Sequence, residues 1–167
     1  MERCRRRRSA GKKTGPNPTD RGKDGTKRCV LTEAEGIPIG LAVDGANRND
    51  FKMARETVEN IPVNRPRPSA RHRQGMCMDK GFDYAEVRAL LEEFGFTEHI
   101  RSRGEEAQRL KRRAGFKARR WVVERTHSWM NRFRRILVRW EKRADTYVAM
   151  LHLACGIITW RAADLLG

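Results

Sequence analysis

Four short apolar runs, set between charged and Pro/Gly-rich stretches, limit the folds open to this chain. The runs at 27–33 (KRCVLTE) and 37–44 (IPIGLAVD) predict two strands, and the short Ala-Glu-Gly link between them predicts an antiparallel hairpin. The runs at 75–79 (GMCMD) and 96–100 (FTEHI) flank a helical stretch, which predicts two strands joined by a right-handed crossover. The first strand of this second pair is expected to be buried.

Helical segments fill much of the remaining sequence. Asp50 precedes a short helical stretch (FKMARETVEN) and is predicted to cap its N-terminus. Asp83 opens a longer helical stretch (DYAEVRALLEEF). Two further helices, at roughly 119–142 and 145–165, are predicted near the end of the sequence. The alternation of strands and helices predicts an α/β layered domain.

The basic residues are concentrated in two blocks. The chain has 37 Lys and Arg against 21 Asp and Glu; residues 1–28 carry a net charge of +8, residues 101–143 a net +12, and the rest is mildly acidic. Concentrated positive charge favours contact with nucleic acid, because each neutralised phosphate releases counterions. The alternative is that these arginines lie on solvated faces. Residues 1–26, where Arg runs mix with Gly and Pro, are predicted to form a flexible basic arm ahead of a domain at 27–167.

Membrane and secreted classes are disfavoured by the sequence. No apolar run approaches the ~18 residues that a membrane helix needs, and no apolar segment follows the basic start as it would in a secretory signal. Cys4, Cys29, Cys77 and Cys155 include no C-x-x-C pair, and His72 with Cys77 is the nearest approach to a zinc arrangement. Reduced thiols of a cytoplasmic protein are therefore expected.

An acid lies opposite the apolar stripe of the helix predicted at 119–142. The stripe consists of Val122, Trp129, Phe133, Ile136 and Trp140. Glu124 is about 200° around the helix from Val122. Its predicted face also carries Arg120, His127, Ser128, Asn131 and Arg135. A salt-bridged surface Glu is the simpler interpretation of that pattern, and a surface histidine is the simpler interpretation of His127.

A second acid, Asp79, follows an apolar strand directly and precedes Lys-Gly. Ligands of open α/β sheets bind at this end of a strand, although a capping role is the simpler alternative. If Asp79 and Glu124 came together, they could hold Mg²⁺ or Mn²⁺, since hard divalent ions prefer oxygen ligands. Two such ions activate a hydroxyl and stabilise the leaving oxygen in phosphodiester chemistry. On a polybasic chain, this pair indicates cleavage or strand transfer of nucleic acid.

Several strings of this sequence resemble the DDE transposases of bacterial insertion sequences. They are GPNPTDRGKDGTKR, GIPIGLAVDGANRND, MDKGFDYAEVRALLEEFGF, RWVVERTHSWMNRFRRILVRWEKRAD and LHLACGIITWR, and together they cover nearly the whole chain from about residue 14. The resemblance implies a ribonuclease-H-like mixed sheet flanked by helices. It also implies divalent ions held by an Asp, Asp, Glu triad, cutting at transposon ends, joining to target DNA, and a cytoplasmic, nucleoid-associated location.

The resemblance assigns roles to particular residues. The second Asp of the triad corresponds to Asp79 and the Glu to Glu124, while Arg120 matches the Arg of the family's Y-x-x-R-x-x-x-E signature. Lys117 and Asn131 occupy the related Tyr and Lys positions, so those roles do not transfer. The DNA contacts that we predict are Arg120, Arg125, Arg132 and Arg135.

The family's first Asp has no evident counterpart. Residues 1–10 (MERCRRRRSA) contain no strand ending in Asp, Asp20 lies in a Gly/Pro loop, and Asp44 could be a ligand only by substitution. We therefore expect a truncated catalytic domain at 27–167 without its first central strand, with unpaired strand edges and marginal stability. We expect it to be inactive alone, with an upstream half supplied by frameshifting, and to form a homodimer.

Two other functions are compatible with the sequence. A non-catalytic nucleic-acid-binding protein, a transposase remnant, would use its Arg runs on phosphates and bury Trp121, Trp129 and Trp140 in its core. A plain nuclease of the same fold would cut product ends without joining them. Replacing Asp79 and Glu124 separates the catalytic interpretation from the binding protein.

Overall fold

The computed structural model describes residues 5–6, 11–100 and 120–164. The chain divides into two compact units. The first unit contains residues 1–63 and 122–167, and the second contains residues 64–121. Cys4 and Lys117 lie outside the described residues, and so do the side chains of Arg120 and Trp121.

The first unit is built on an antiparallel sheet. Its strands are β1 (Arg5–Arg6), β2 (Gly15–Pro16), β3 (Asp24–Thr32) and β4 (Pro38–Gly45). The hairpin of β3 and β4 is confirmed, with Cys29 opposite Ala42 and Val30 opposite Leu41. Alternation along β3 and β4 directs Val30, Leu41 and Val43 into the core, as expected for a sheet with one face covered by helices.

Residues 11–26, predicted as part of a flexible arm, are folded against this sheet. Strand β2 pairs with Asp24 and Gly25 of β3. The buried Asn17 holds the intervening turn: its carbonyl oxygen accepts from the N–H groups of Asp20 and Gly22, and its side chain accepts from Thr19. Side chains of this type favour turns because they satisfy nearby backbone donors. The prediction of a flexible arm is therefore wrong for this segment.

Strands β1 and β4 pair with opposite edges of β3. Strand β1 pairs with Gly25 and Thr26 on one edge, and β4 pairs with β3 from Thr26 to Thr32 along the other. The expected unpaired strand edges and the ribonuclease-H-like topology stay predictions.

Helices pack on the sheet of the first unit. They are α1 (Ala54–Glu59), which follows a 3-10 turn at Asp50–Met53, then α3 (Arg120–Asn131), α4 (Arg134–Leu137) and α5 (Ala144–Asp164). The helical core residues are Met130, Ile136, Tyr147, Leu151, Ala154 and Ile158. No helix among the described residues is long and apolar enough to cross a membrane.

The helix predicted at 119–142 is interrupted. Helix α3 ends at Asn131, Phe133 has an extended backbone, and α4 ends at Leu137. Trp140, predicted at the end of the buried stripe, is therefore 46% exposed. The segment after α4 places the fully buried Arg139 guanidinium against the nearby Glu141 carbonyl and the distant Lys13 carbonyl.

Asp50 does not cap the helix that follows it. Its carboxylate pairs with the Lys27 ammonium at 2.6 Å, and Asn49 occupies the N-cap position without a side-chain hydrogen bond. An ion pair with the neighbouring strand has replaced the local cap that the sequence predicts.

The second unit is a strand–helix–strand arrangement. It contains β5 (Gln74–Met78), a 3-10 turn at Lys80–Phe82, α2 (Ala85–Glu93) and β6 (Phe96–Ile100). The two strands pair in parallel, as predicted. Helix α2 buries Val87, Leu90 and Leu91.

The prediction of a buried strand at β5 is wrong. Only Met76 of β5 is buried, because β5 has a single partner strand among the described residues. The predicted second helix begins at Ala85 rather than at Asp83, and the Asp83 carboxylate pairs at 2.7 Å with Arg88, which also contacts Glu98. The hydrogen bond with Asp83 contributes most to raising the pKa of the Arg88 guanidinium, and Glu98 raises it further.

Candidate active site

Asp79 follows β5 directly, as predicted. Its backbone is extended, and its Oδ1 accepts the Gly81 N–H at 2.8 Å, so it caps the 3-10 turn at Lys80–Phe82. The capping role considered in the sequence is therefore present. The cap uses one carboxylate oxygen of Asp79. Because the residue is also exposed, a metal ion could reach its side chain.

Glu124 lies on the solvent side of α3. Val122, Thr126 and Met130 form the buried side of the helix, and Glu124 is exposed, as the spacing predicts. It forms no ion pair with another described side chain. His127 departs from the prediction, because it is buried at 4% exposure and is therefore not a surface histidine.

The helix that carries Glu124 is fixed to the turn of the β3–β4 hairpin. Thr126 Oγ1 donates to the Gly36 carbonyl, and the Arg125 guanidinium donates to the Glu35 carbonyl. Arg125 also lies 5.0 Å from the ring centroid of Trp129. We refer to these bonds as the hairpin contact. It restrains α3 at Arg125 and Thr126, the two residues that follow Glu124.

Gly36 makes this close approach feasible. Its φ of +88° is disfavoured for residues with a side chain, and an added Cβ would lie 3.2 Å from Thr126 Oγ1 and 3.3 Å from the Arg125 guanidinium. The hairpin contact was not predicted from the sequence. The glycine in the predicted turn was the only local signal of it.

The four arginines predicted to contact DNA differ in their surroundings. Arg132 is exposed. Arg135 is exposed and pairs with Glu141 at 2.8 Å. Arg125 is half-buried in the hairpin contact, which leaves it less available to phosphate. The side chain of Arg120 is outside the described residues.

The other acids weighed in the sequence have basic neighbours. Asp44 lies 3.4 Å from Arg48 and also accepts the Gly45 N–H, and Asp20 lies 3.5 Å from Lys23. Asp79 and Glu124 belong to different units. Within the described ranges, no three His, Cys, Asp or Glu side chains cluster in a way that could hold a metal.

The donor chemistry of Asp79 and Glu124 nevertheless fits a hard divalent ion. Both are exposed carboxylates, which are the ligands that Mg²⁺ prefers. Among the described residues, Cys29, Cys77 and Cys155 have free thiols. Burial raises the pKa of the Cys155 thiol to about 11.

A strongly basic α/β chain with exposed carboxylates has the features of a protein that acts on nucleic acid. Residues 2–158 match the family described as Transposase DDE domain. The chain is also 39% identical over 158 residues to the "Putative transposase for insertion sequence element IS402" of Burkholderia cepacia, covering 91% of this chain and 72% of that protein. No solved structure matches. The chain belongs to the DDE transposase family.

Proposed function

We propose that this chain binds DNA, cleaves it at transposon ends and transfers the cut strand to target DNA in a metal-dependent reaction. Membership of the transposase family supports the reaction class. The site assignment rests on the position of Glu124. Its side chain is exposed, while the opposite side of α3 is buried and hydrogen-bonded to the hairpin.

Asp79 and Glu124 are the proposed ligands of Mg²⁺ or Mn²⁺. Bound ions would supply an activated hydroxyl and stabilise the leaving oxygen. The chain's own contribution is to present the carboxylates. The Gly81 N–H fixes one oxygen of Asp79, and the hairpin contact restrains the helix beside Glu124.

Exposed arginines of α3 and α4 are proposed to hold the DNA backbone near Glu124. Arg132 and Arg135 are exposed, and the segment 101–143 has a net charge of +12. Arg120 belongs to the same proposal by its family position. Arginine suits this role because its planar guanidinium binds phosphate through two parallel hydrogen bonds.

We propose that the chain alone does not transfer strands. Residues 1–10 contain no aspartate to serve as the third family ligand, so this proposal assigns two of the three family ligands, Asp79 and Glu124. Pairing of two transposon ends would further require a homodimer. Strand transfer by the purified 167 residues would contradict this proposal.

Metal binding tests the ligand assignment without requiring activity. Mn²⁺ titration followed by electron paramagnetic resonance is expected to show weaker binding, by about tenfold or more, in Asp79→Asn and in Glu124→Gln. Glu92→Gln removes an exposed acid from α2 and is the matched control. Unchanged Mn²⁺ affinity in both site variants, with unchanged DNA affinity, would instead support the non-catalytic nucleic-acid-binding protein.

The tryptophans bear on that second candidate. Its arginines would bind phosphate as described above, and its three tryptophans would lie in the core. Trp129 packs against the core, whereas Trp140 is 46% exposed. Product analysis distinguishes the third candidate, a plain nuclease, because such an enzyme leaves cut ends unjoined.

A further inference from the structure

The loop that precedes β5 in the second unit is rich in arginine and lacks acids. We call residues 64–73 (NRPRPSARHR) the arginine loop. It contains Arg65, Arg67, Arg71 and Arg73, and no Asp or Glu occurs in the sequence between positions 59 and 79. The positive charge of the arginine loop is therefore not neutralised by acids of the same segment.

Arg65 attaches the arginine loop to the rest of the second unit. Its Nε donates to Gln74 Oε1 at 3.0 Å, and its Nη2 donates to the Phe94 carbonyl at 2.7 Å. The same guanidinium lies 3.8 Å from the ring centroid of Phe96. Gln74 in turn donates to the Pro66 carbonyl at 2.7 Å. These contacts fix the first half of the loop to the starts of β5 and β6.

The second half of the arginine loop is also held in one shape. Pro68 packs against the turn between α2 and β6, where a Cβ added to Gly95 would lie 2.8 Å from the proline ring. Ser69 and His72 exchange backbone hydrogen bonds of 3.2 and 3.1 Å, which close a tight turn. The two prolines further restrict the backbone. A loop that is already ordered loses less entropy when it binds a ligand.

The other three arginines lie on the surface of this anchored loop. Arg67, Arg71 and Arg73 are exposed, and none of them forms an ion pair or a side-chain hydrogen bond with another described residue. Arginines elsewhere in the described chain have a nearby acid as partner, namely Arg48, Arg55, Arg88, Arg135 and Arg143. Because a guanidinium binds phosphate through two parallel hydrogen bonds, three such groups without acids fit a polyphosphate ligand.

We propose that the arginine loop binds the phosphate backbone of duplex DNA through Arg67, Arg71 and Arg73, as a surface additional to the arginines of α3 and α4. This inference rests on the proposed function, because it takes duplex DNA as the polyanion. Phosphate contacts carry no base information, so the loop is expected to bind duplexes of unrelated sequence equally well.

The position of the arginine loop separates it from the reacting phosphate. The loop leads into the start of β5, and Asp79 follows the end of that strand. An extended chain from Arg73 to Asp79 spans about 20 Å, at ~3.3 Å per residue. This length corresponds to about six base pairs of DNA, at ~3.4 Å each. The loop therefore acts as a positioning surface for DNA some base pairs away from Asp79.

Fluorescence anisotropy of a labelled duplex, measured over a range of salt concentrations, tests this surface. The triple variant Arg67→Gln, Arg71→Gln, Arg73→Gln is expected to bind DNA about tenfold or more weakly at low salt. Each lost phosphate contact should also reduce the slope of log affinity against log salt by about 0.9. The slope is therefore expected to fall by about two to three, and by the same amount for two unrelated duplexes.

A second triple variant controls for the change in net charge. It removes three exposed cations of the first unit, Lys52→Gln, Arg55→Gln and Arg161→Gln. Its salt slope is expected to equal that of the unmodified chain, because these residues are not proposed to contact phosphate. Circular dichroism verifies that both triple variants remain folded.

The anchor of the loop is tested without a change in charge. Gln74→Met removes the hydrogen bonds to Arg65 and Pro66 and keeps the three surface arginines. The variant is expected to bind DNA about threefold more weakly, because the loop must then be ordered on binding. Unchanged affinity would refute the contribution of the anchored shape.

Phenylglyoxal modification read by peptide mass spectrometry measures the contact directly. Duplex DNA is expected to slow the modification of Arg67, Arg71 and Arg73 and to leave that of Arg161 unchanged. Equal DNA binding by the loop and control variants, or equal modification with and without DNA, would overturn the inference and leave the proposed function standing. If the unmodified chain bound no DNA even at low salt, both the inference and the proposed DNA binding would fail.

Discussion

The hydroxyl of Thr126 donates to the carbonyl oxygen of Gly36, a residue 90 positions earlier in the chain. This bond joins a helix of the carboxyl-terminal half to the turn of the first hairpin. Because Thr126 is fully buried, the carbonyl has little access to water that could replace the bond. The position of α3, and so of Glu124, depends on it.

Thr126→Val is expected to lower the free energy of unfolding by about 1–3 kcal/mol, because it leaves a buried carbonyl without its donor at nearly constant side-chain volume. Thr126→Ser keeps the hydroxyl and serves as the control. Urea denaturation measures both variants. Equal stability of the Val and Ser variants would show that the hydrogen bond is not what fixes the helix.

Removal of Arg139 is expected to be more damaging than removal of an exposed arginine. Its buried guanidinium donates to the carbonyls of Lys13, Glu141 and Lys142 and to the Thr26 hydroxyl. Arg139→Met would remove these hydrogen bonds from a buried site, at a cost of about 3 kcal/mol or more. The exposed Arg134→Met provides the comparison and is expected to change stability by less than about 0.5 kcal/mol.

Thermal or urea unfolding of the two arginine variants distinguishes these outcomes. A similar loss of stability in both variants would mean that the change in net charge, rather than the loss of buried hydrogen bonds, destabilises the chain. A change confined to Arg139→Met would locate the effect in the segment that follows α4.

Two cysteines are expected to react with iodoacetamide at different rates. Cys77 is exposed, whereas Cys155 is largely buried and its thiol pKa is raised to about 11. Only the thiolate reacts, so at pH 8 the alkylation of Cys155 is expected to be at least about tenfold slower. Below its pKa, each unit of added pH should raise the Cys155 rate about tenfold.

Peptide mass spectrometry assigns the modified thiol at each time point. In denaturant, both cysteines should react at similar rates, which provides the control. Equal rates in the folded chain would contradict the burial of Cys155.

The features that the sequence predicted correctly depend on local periodicity. The β3–β4 hairpin followed from two apolar runs with a short link, and the parallel pairing of β5 with β6 followed from the helix between them. The exposed face of Glu124 needed only the position of Val122 in the same helix. Each of these predictions used residues that lie within a few tens of positions of one another in the sequence.

The errors arose where a distant partner replaced a local one. Asp50 is a suitable capping residue by sequence, but Lys27, 23 positions earlier, binds it instead. Arg139 falls within the helix predicted at 119–142, whereas in the structure that helix is interrupted and the acceptors of Arg139 at Thr26 and Lys13 lie 113 and 126 positions away. Spacing within one helix carries no information about partners this far along the chain.

The turn at Glu35–Gly36 has a consequence for how the chain tolerates change. Hairpin tips exposed to solvent usually accept inserted residues with little effect. Here the tip bears two carbonyl groups that receive Thr126 and Arg125. An insertion that left the β3–β4 pairing intact would still displace those two acceptors. Its effect would therefore reach the neighbouring Glu124 on α3 instead of being absorbed in the loop.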